Sequence, residues 1–159
     1  MESGEQMAAQ AAELAKSYFR DDKNNCAESV LRALMQVTGQ TCPVEILRLA
    51  SPFGRGMGAA GCACGALVGA EMAVGYFFGR EQTKGAAPDA CATAAKLMHD
   101  RFKKHNGATC CRILHKGLPF GTDEQLAACC ERTWEAAEIA AQVIAEVQAD
   151  LARAEEMRQ

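Results

Sequence analysis

Nine cysteines, at positions 26, 42, 62, 64, 91, 110, 111, 129 and 130, are the residues through which this sequence could do chemistry. A thiolate can attack a disulfide, give up electrons to form one, or ligate a soft metal; a thiol can also serve as a small hydrophobe in a core. The odd count argues against full pairing, and a chain of 159 residues has enough core to do without staples. Cysteine is therefore expected here as metal or cluster ligand, as redox thiol, or as packing.

Position along the predicted helices sorts them. Cys26, Cys64 and Cys111 each fall in a first turn, where unpaired N–H groups and the positive end of the helix dipole favour a thiolate and should lower its pKa. Cys111 also lies in a basic stretch, with Arg101, Lys103, Lys104, Arg112 and Lys116 and no acid between Asp100 and Asp123. Glu71 follows Cys64 by seven residues, two turns along nearly the same face, and a buried carboxylate there would suit proton transfer to or from a thiol. The alternative for Glu71 is a helix edge that reaches solvent. His99, His105 and His115 do not stand at ligand spacing with any cysteine and are expected at the surface. C-A-C at 62–64 and the C-C pairs at 110–111 and 129–130 match no familiar zinc or ferredoxin signature. Within each vicinal pair one cysteine is expected to act and the other to fill space.

The elements that must position these residues are helices throughout, because no run of alternating β-branched residues occurs. A first helix is expected over about 5–20. "NNCAESVLRALMQVTG" gives a second, capped by Asn24 or Asn25, with Glu28 following and Gly39 as its stop; Cys26 lies on its apolar face. "CPVEILRLAS" is a short third, started by Pro43, and a glycine-rich loop follows it. The fourth, over about 62–78, repeats Gly61, Gly65 and Gly69 on one face, which lets another helix approach closely. Further helices are expected over about 88–105, around "ATCCRILHKG", and from 123 to about 153. In the last of these, Cys129 and Cys130 both fall within the apolar arc, and periodicity does not choose between them. The expected fold is an all-α single domain, residues 1–159, with about six helices around a buried Gly/Ala-rich central one.

Composition narrows the functions. A net charge of −3 and 23% charged residues offer no basic surface for nucleic acid. Residues 56–79 carry one charge, Glu71, but their glycines and that carboxylate argue for a buried helix, not a membrane span. The first residues, "MESGEQMAAQ", do not resemble a secretory signal, so a cytoplasmic address is expected.

Four pieces taken in order, "NNCAESVLRAL", "CGALVG", "CCRILHKG" and "CCERTWEAAEIA", resemble a family of redox-active proteins named for a cysteine pattern containing C-G-A-x-x-G, over roughly residues 10–147. The resemblance implies that Cys26, Cys64, Cys111 and Cys130 are the family cysteines, and that Cys42, Cys62, Cys91, Cys110 and Cys129 are extras. It also implies a helical fold, a functional link to transporters, and kinship with a domain of multihaem and iron-sulfur electron-transfer proteins from anaerobic bacteria. Haem does not carry over, since no C-x-x-C-H motif is present. Two readings follow. In the first, Cys64 is the attacking thiolate, assisted by Glu71, and Cys26, Cys111 or Cys130 resolves the mixed disulfide; the partner is another protein's thiol or a small thiol or disulfide. In the second, Cys26, Cys64, Cys111 and Cys130 ligate an iron-sulfur cluster or a soft metal such as zinc. The sequence leaves the substrate, the pairing and the oligomeric state, a homodimer included, open.

Overall fold

A computed structural model describes residues 4–86 and 88–158. Seven helices carry the fold: α1 (Gly4–Arg20), α2 (Cys26–Val37), α3 (Val44–Ala50), α4 (Gly65–Phe78), α5 (Asp89–Asn106), α6 (Cys111–Leu114) and α7 (Asp123–Glu156). No strand occurs among the described residues, and a lone antiparallel bridge joins Ala63 to Cys110. No helix among them is long and apolar enough to cross a membrane.

Small residues set the packing. Ala8, Ala11, Ala12 and Ala15 of α1 are buried, as are Ala136, Ala137, Ala140 and Ala141 of α7, and the two helices lie together over much of their length. Side chains this short let two backbones approach closely, and larger residues fill the layer beyond: Leu31, Leu34 and Met35 of α2, Met98 and Phe102 of α5, and Ile144 of α7. Helix α4 runs through the middle, against α2, α5 and α7. Gly69 marks its crossing with α2, because a Cβ there would overlap the Ala27 carbonyl oxygen and lie 2.9 Å from Ala27 Cα.

The beginning of α2 is fixed from several sides. Asn25 caps it by accepting from the Glu28 N–H at 2.9 Å, while Glu28 Oε2 accepts from the Asn25 N–H at 2.8 Å, the reciprocal pair expected of this sequence. Asn25 Nδ2 also donates to the Ser51 carbonyl, and Ser51 Oγ donates to Glu28, so the cap is tied to the segment after α3.

That segment departs most from the expectation of a simple loop followed by a helix at about 62. A 3-10 turn, Ser51–Phe53, leads into one irregular turn, Gly54–Met57. Arg55, Gly56, Met57, Gly58, Ala59 and Gly61 all have positive φ, between +55° and +73°. Residues 62–64 are then extended: the Cys64 N–H donates to Thr109 O at 2.8 Å, and the Cys111 N–H donates to Cys62 O at 2.6 Å. Helix α4 therefore begins at Gly65, and Cys64 is its N-cap residue, outside the first turn. Pairing with residues 109–111 supplies the hydrogen bonds that extra helical residues would have made.

Candidate functional site

Four cysteines, three at helix beginnings and one in a second turn, converge beneath the left-handed loop. Cys26 is the first residue of α2 and Cys111 the first of α6; Cys64 caps α4, and Cys129 lies in the second turn of α7. Cys26, Cys64 and Cys111 are 8%, 5% and 3% exposed, and Cys129 is half-buried. Two glycines make room for them. A Cβ on Gly65 would overlap Cys26 Sγ and lie 2.6 Å from Phe53 O; one on Gly56 would lie 2.6 Å from Cys111 Cβ and 2.8 Å from the Cys62 nitrogen. Gly56 also holds φ +67°, which a residue with a Cβ adopts only under strain.

The thiols are protonated at rest. Burial pushes Cys26 up to about 12, helped by Cys64, Cys129 and Cys111 as neighbouring like charges. Cys129 is pushed up to about 12 by burial, then by Cys64 and Cys111, and Cys111 up to about 11 by burial, then by Cys64 and Cys110. Cys64 is also raised by burial, although the Leu67 and Ala66 N–H groups at the start of α4 pull the other way. The depressed pKa expected from a helix N-terminus is therefore overturned at Cys26, Cys64 and Cys111 alike: desolvation of buried sulfurs outweighs the local amides.

Around Cys129 stand groups that the sequence did not single out. Gln125, 2% exposed, donates from Nε2 to Cys129 Sγ at 2.9 Å. His115 is 5% exposed and not at the surface, and its Nε2 lies 3.2 Å from the same sulfur. Burial, then the neighbouring Arg132 charge, hold its pKa below the usual histidine value, so the ring is neutral at pH 7. Arg132 Nη1 is nearly equidistant from His115 Nδ1, 3.4 Å, and Nε2, 3.5 Å, and so bonds neither squarely; its Nη2 donates to Leu114 O at 2.7 Å. Arg132 Nε is buried with no hydrogen-bond partner. This guanidinium lowers the pKa of Cys64, Cys111 and Cys129 alike and is the cation turned toward the thiols. The alternation of His115 in a short helix end with Arg132 one turn after Cys129 carries no local motif, which is why both were invisible in the sequence.

The remaining candidates lie apart. Cys130, the next residue of α7, lines the same pocket as Cys26 and Cys129 but is turned from the other thiols toward Lys16 and Arg20, which lower its pKa against the effect of burial. Helical geometry turns successive residues by ~100°, so only one of the vicinal pair can face the other thiols, and that one is Cys129. At the other pair it is Cys111, while Cys110 Sγ donates to Gly61 O at 3.0 Å. Cys62 is exposed, and Cys42 and Cys91 pack at the edge of the core. Glu71 is not brought to the cluster: it lies about 10 Å along the α4 axis from Cys64 at 1.5 Å per residue. No hydrogen bond or ion pair to it appears among the described residues, and burial alone raises its pKa to about 7.

That carboxyl makes a pH prediction. Its folded pKa exceeds the unfolded value, so the native state holds the extra proton, and stability is fullest below about pH 4.5 and declines as pH rises toward about 7. Discounted for partial exposure, the loss is ~1–2 kcal/mol. Glu71→Gln is expected to remove this slope from urea melts between pH 5 and 8, roughly, and to stabilise the protein above neutrality.

The family model described as "Putative redox-active protein (C_GCAxxG_C_C)" matches residues 24–143, a span that opens two residues before Cys26 and closes beyond Cys129 and Cys130. The chain belongs to this family. Around its central motif this member of C_GCAxxG_C_C reads Gly61-Cys62-Ala63-Cys64-Gly65-Ala66, and burial separates the two sulfurs: Cys64 faces the other thiols, Cys62 the solvent. No curated protein and no solved structure matches the chain.

Proposed function

We propose that this protein is a thiol-disulfide redox protein whose working pair is Cys129 and Cys26, backed by Cys64 and Cys111. The observation that carries this reading is the Cys129 site: a sulfur 3.2 Å from a neutral, buried imidazole and 2.9 Å from an amide donor, on the wall of an open pocket that Cys26 also lines. A nucleophile within hydrogen-bond reach of a base, with the base held by further groups, is the arrangement that activates an otherwise weak nucleophile. The attacking sulfur in this reading is Cys129 in place of Cys64, and Glu71 has no part in it.

Cys129 Sγ attacks one sulfur of a disulfide as His115 Nε2 takes its proton; the S–S bond of the substrate breaks, a mixed disulfide forms on Cys129, and the leaving thiolate receives the proton from His115. Cys26 Sγ then attacks Cys129 Sγ, the second thiol leaves with the Cys26 proton, and a Cys26–Cys129 disulfide remains. Two electrons pass from the protein to the substrate. Gln125 and Arg132 stabilise the charge that develops on Cys129, and because the thiol starts protonated, the base acts during attack and not before it.

Equilibration with a graded dithiol-disulfide buffer tests this. Alkylation followed by intact-mass measurement is expected to show two thiols per chain lost in one two-electron step, well before the other seven react. Loss of thiols one by one in order of exposure, Cys62 first, contradicts the reading.

A second reading is supported by the repulsion among these thiolates. Cys26, Cys111 and Cys129 are each raised by the nearby Cys64 charge, so with Cys64 they form a donor set that a soft cation or an iron-sulfur cluster would relieve, and four thiolates suit either in number and softness. Among the described residues, however, no group of three or more His, Cys, Asp or Glu side chains is arranged to hold a metal ion, so the thiols would have to close inward to bind one. Iron, zinc and acid-labile sulfide measured on anaerobically purified protein decide this: stoichiometric metal lost together in Cys26→Ser and Cys129→Ser supports the second reading, and metal-free protein that still exchanges two electrons supports the first.

A further inference from the structure

The pocket outside Cys129 and Cys26 has a volume of about 610 Å³, within the range of small-molecule sites. Its charge is one-sided. Lys16, Arg20, Lys23 and Arg55 line it against a single carboxylate, Glu131, in a chain whose net charge is −3. Arg20 is paired with Asp21 at 2.9 Å, and Lys23 Nζ donates to the Arg20 carbonyl at 2.9 Å. Lys16, Lys23 and Arg55 make no ion pair among the described residues, although Lys16 also borders a neighbouring hollow that Glu13, Glu131 and Glu135 line, so three cations at this pocket are not bonded to a carboxylate. Phe19, Leu126 and Ala127 add apolar wall to the same pocket.

From this arrangement we infer that the pocket binds a low-molecular-mass disulfide that carries carboxylates on both sides of its S–S bond, such as a small acidic peptide disulfide. The inference rests on the thiol-disulfide reading above and names its substrate class. Of the three lining cations that make no ion pair, Lys23 is held by the Arg20 carbonyl, while Lys16 from α1 and Arg55 from the left-handed loop come from two different elements, so carboxylates on the two arms of one ligand would satisfy both while its sulfurs meet Cys129. The thiolate that leaves is also an anion, and the same cations favour its departure. A protein partner's disulfide would have to bring its own backbone into the pocket, and a cationic disulfide would meet four like charges. The exchange is the one already written: two protein thiols are oxidised and the carboxylate-bearing disulfide is reduced to two thiols.

Three linear disulfides with similar reacting cores separate the alternatives: dithiodipropionate, a dianion; hydroxyethyl disulfide, neutral; and cystamine, a dication. Each rate of oxidation of the reduced full-length protein is divided by the rate for free cysteine, which removes intrinsic reactivity. The dianion is expected to be favoured over the dication by at least about tenfold at low ionic strength, with the preference shrinking severalfold in about 0.5 M salt. Lys16→Glu combined with Arg55→Glu is expected to abolish or invert the order; the salt series on the unaltered protein decides the matter should that variant fail to fold. Equal normalised rates for all three overturn the anion site and leave the thiol-disulfide reading standing. If none of the three oxidises the protein, that reading fails, and calorimetric titration with dithiodipropionate judges the pocket alone: binding that salt weakens upholds it, and no binding overturns it.

Discussion

Cys129→Ser is expected to slow oxidation of the protein by a small disulfide at least about 100-fold with the fold intact, because the variant keeps shape and hydrogen bonding at Gln125 Nε2 while removing the attacking sulfur. Cys130→Ser, one residue on, is expected to slow the reaction far less, since Cys130 lines the same pocket but its sulfur is turned toward Lys16 and Arg20 and not toward the other thiols. His115→Gln preserves a polar side chain of similar reach but removes the base; a loss of about 10–100-fold is expected, the lower part of the range for general-base catalysis. The pH profile separates base catalysis from a structural effect. A histidine whose pKa is held down by burial stays neutral to lower pH, so the rate should be level through neutrality and fall only below about pH 6.5, and His115→Gln should lose that fall. Stopped-flow measurement of thiol loss across pH reads all of these. A Cys129→Ser protein that is oxidised at the original rate removes Cys129 from the mechanism.

The second large effect is expected at Gly65. Alanine there places a Cβ against Cys26 Sγ and 2.6 Å from Phe53 O, and Phe53 belongs to the 3-10 turn that leads into the left-handed loop. Neither neighbour can step aside freely: Cys26 is held by the reciprocal Asn25–Glu28 cap, and the Phe53 carbonyl is backbone. The overlap is expected to cost ~3 kcal/mol, at the upper end for an overpacked site. Urea melts should show that loss, and Cys26 alkylation in the native protein should accelerate as its sulfur is forced from the cluster. Gly75, at the other end of α4, has no atom within 4 Å of an added Cβ, so Gly75→Ala serves as the control and is expected to match or slightly exceed the stability of the original. Equal melts for the two variants would mean that Gly65 does not press on Cys26.

These two residues show which parts of the molecule the sequence announces. Helix boundaries at Asn25, Gly39, Gly107 and Thr122 are written locally, as caps and left-handed glycines, and the structure places them within a residue or two of expectation. The Gly65 and Gly69 spacing announces close approach, and that approach is to Cys26 and Ala27. Legibility ends where long-range pairing decides. Residues 62–64 read as helix because they are small and apolar, but they extend to pair with Thr109–Cys111, a partner more than forty residues away that leaves no periodic trace. Choosing between Cys129 and Cys130 needs the rotation of α7 about its axis, which its packing on α1 sets. His115 looked like a surface residue because its burial comes from the tertiary position of α6, and Arg132 one turn after Cys129 looked like one more helix charge. The acidity expected of Cys64 failed for a related reason: depth, not the adjacent amides, sets the energy of its thiolate.

The most direct test of the central claim is to oxidise the reduced protein with one equivalent of a small disulfide, block the remaining thiols, and map the new bond by peptide mass spectrometry. A Cys26–Cys129 disulfide is expected as the main product, with Cys64 and Cys111 blocked as free thiols. A bond that uses Cys130 or Cys62, or a scatter of pairings with no dominant species, would contradict it.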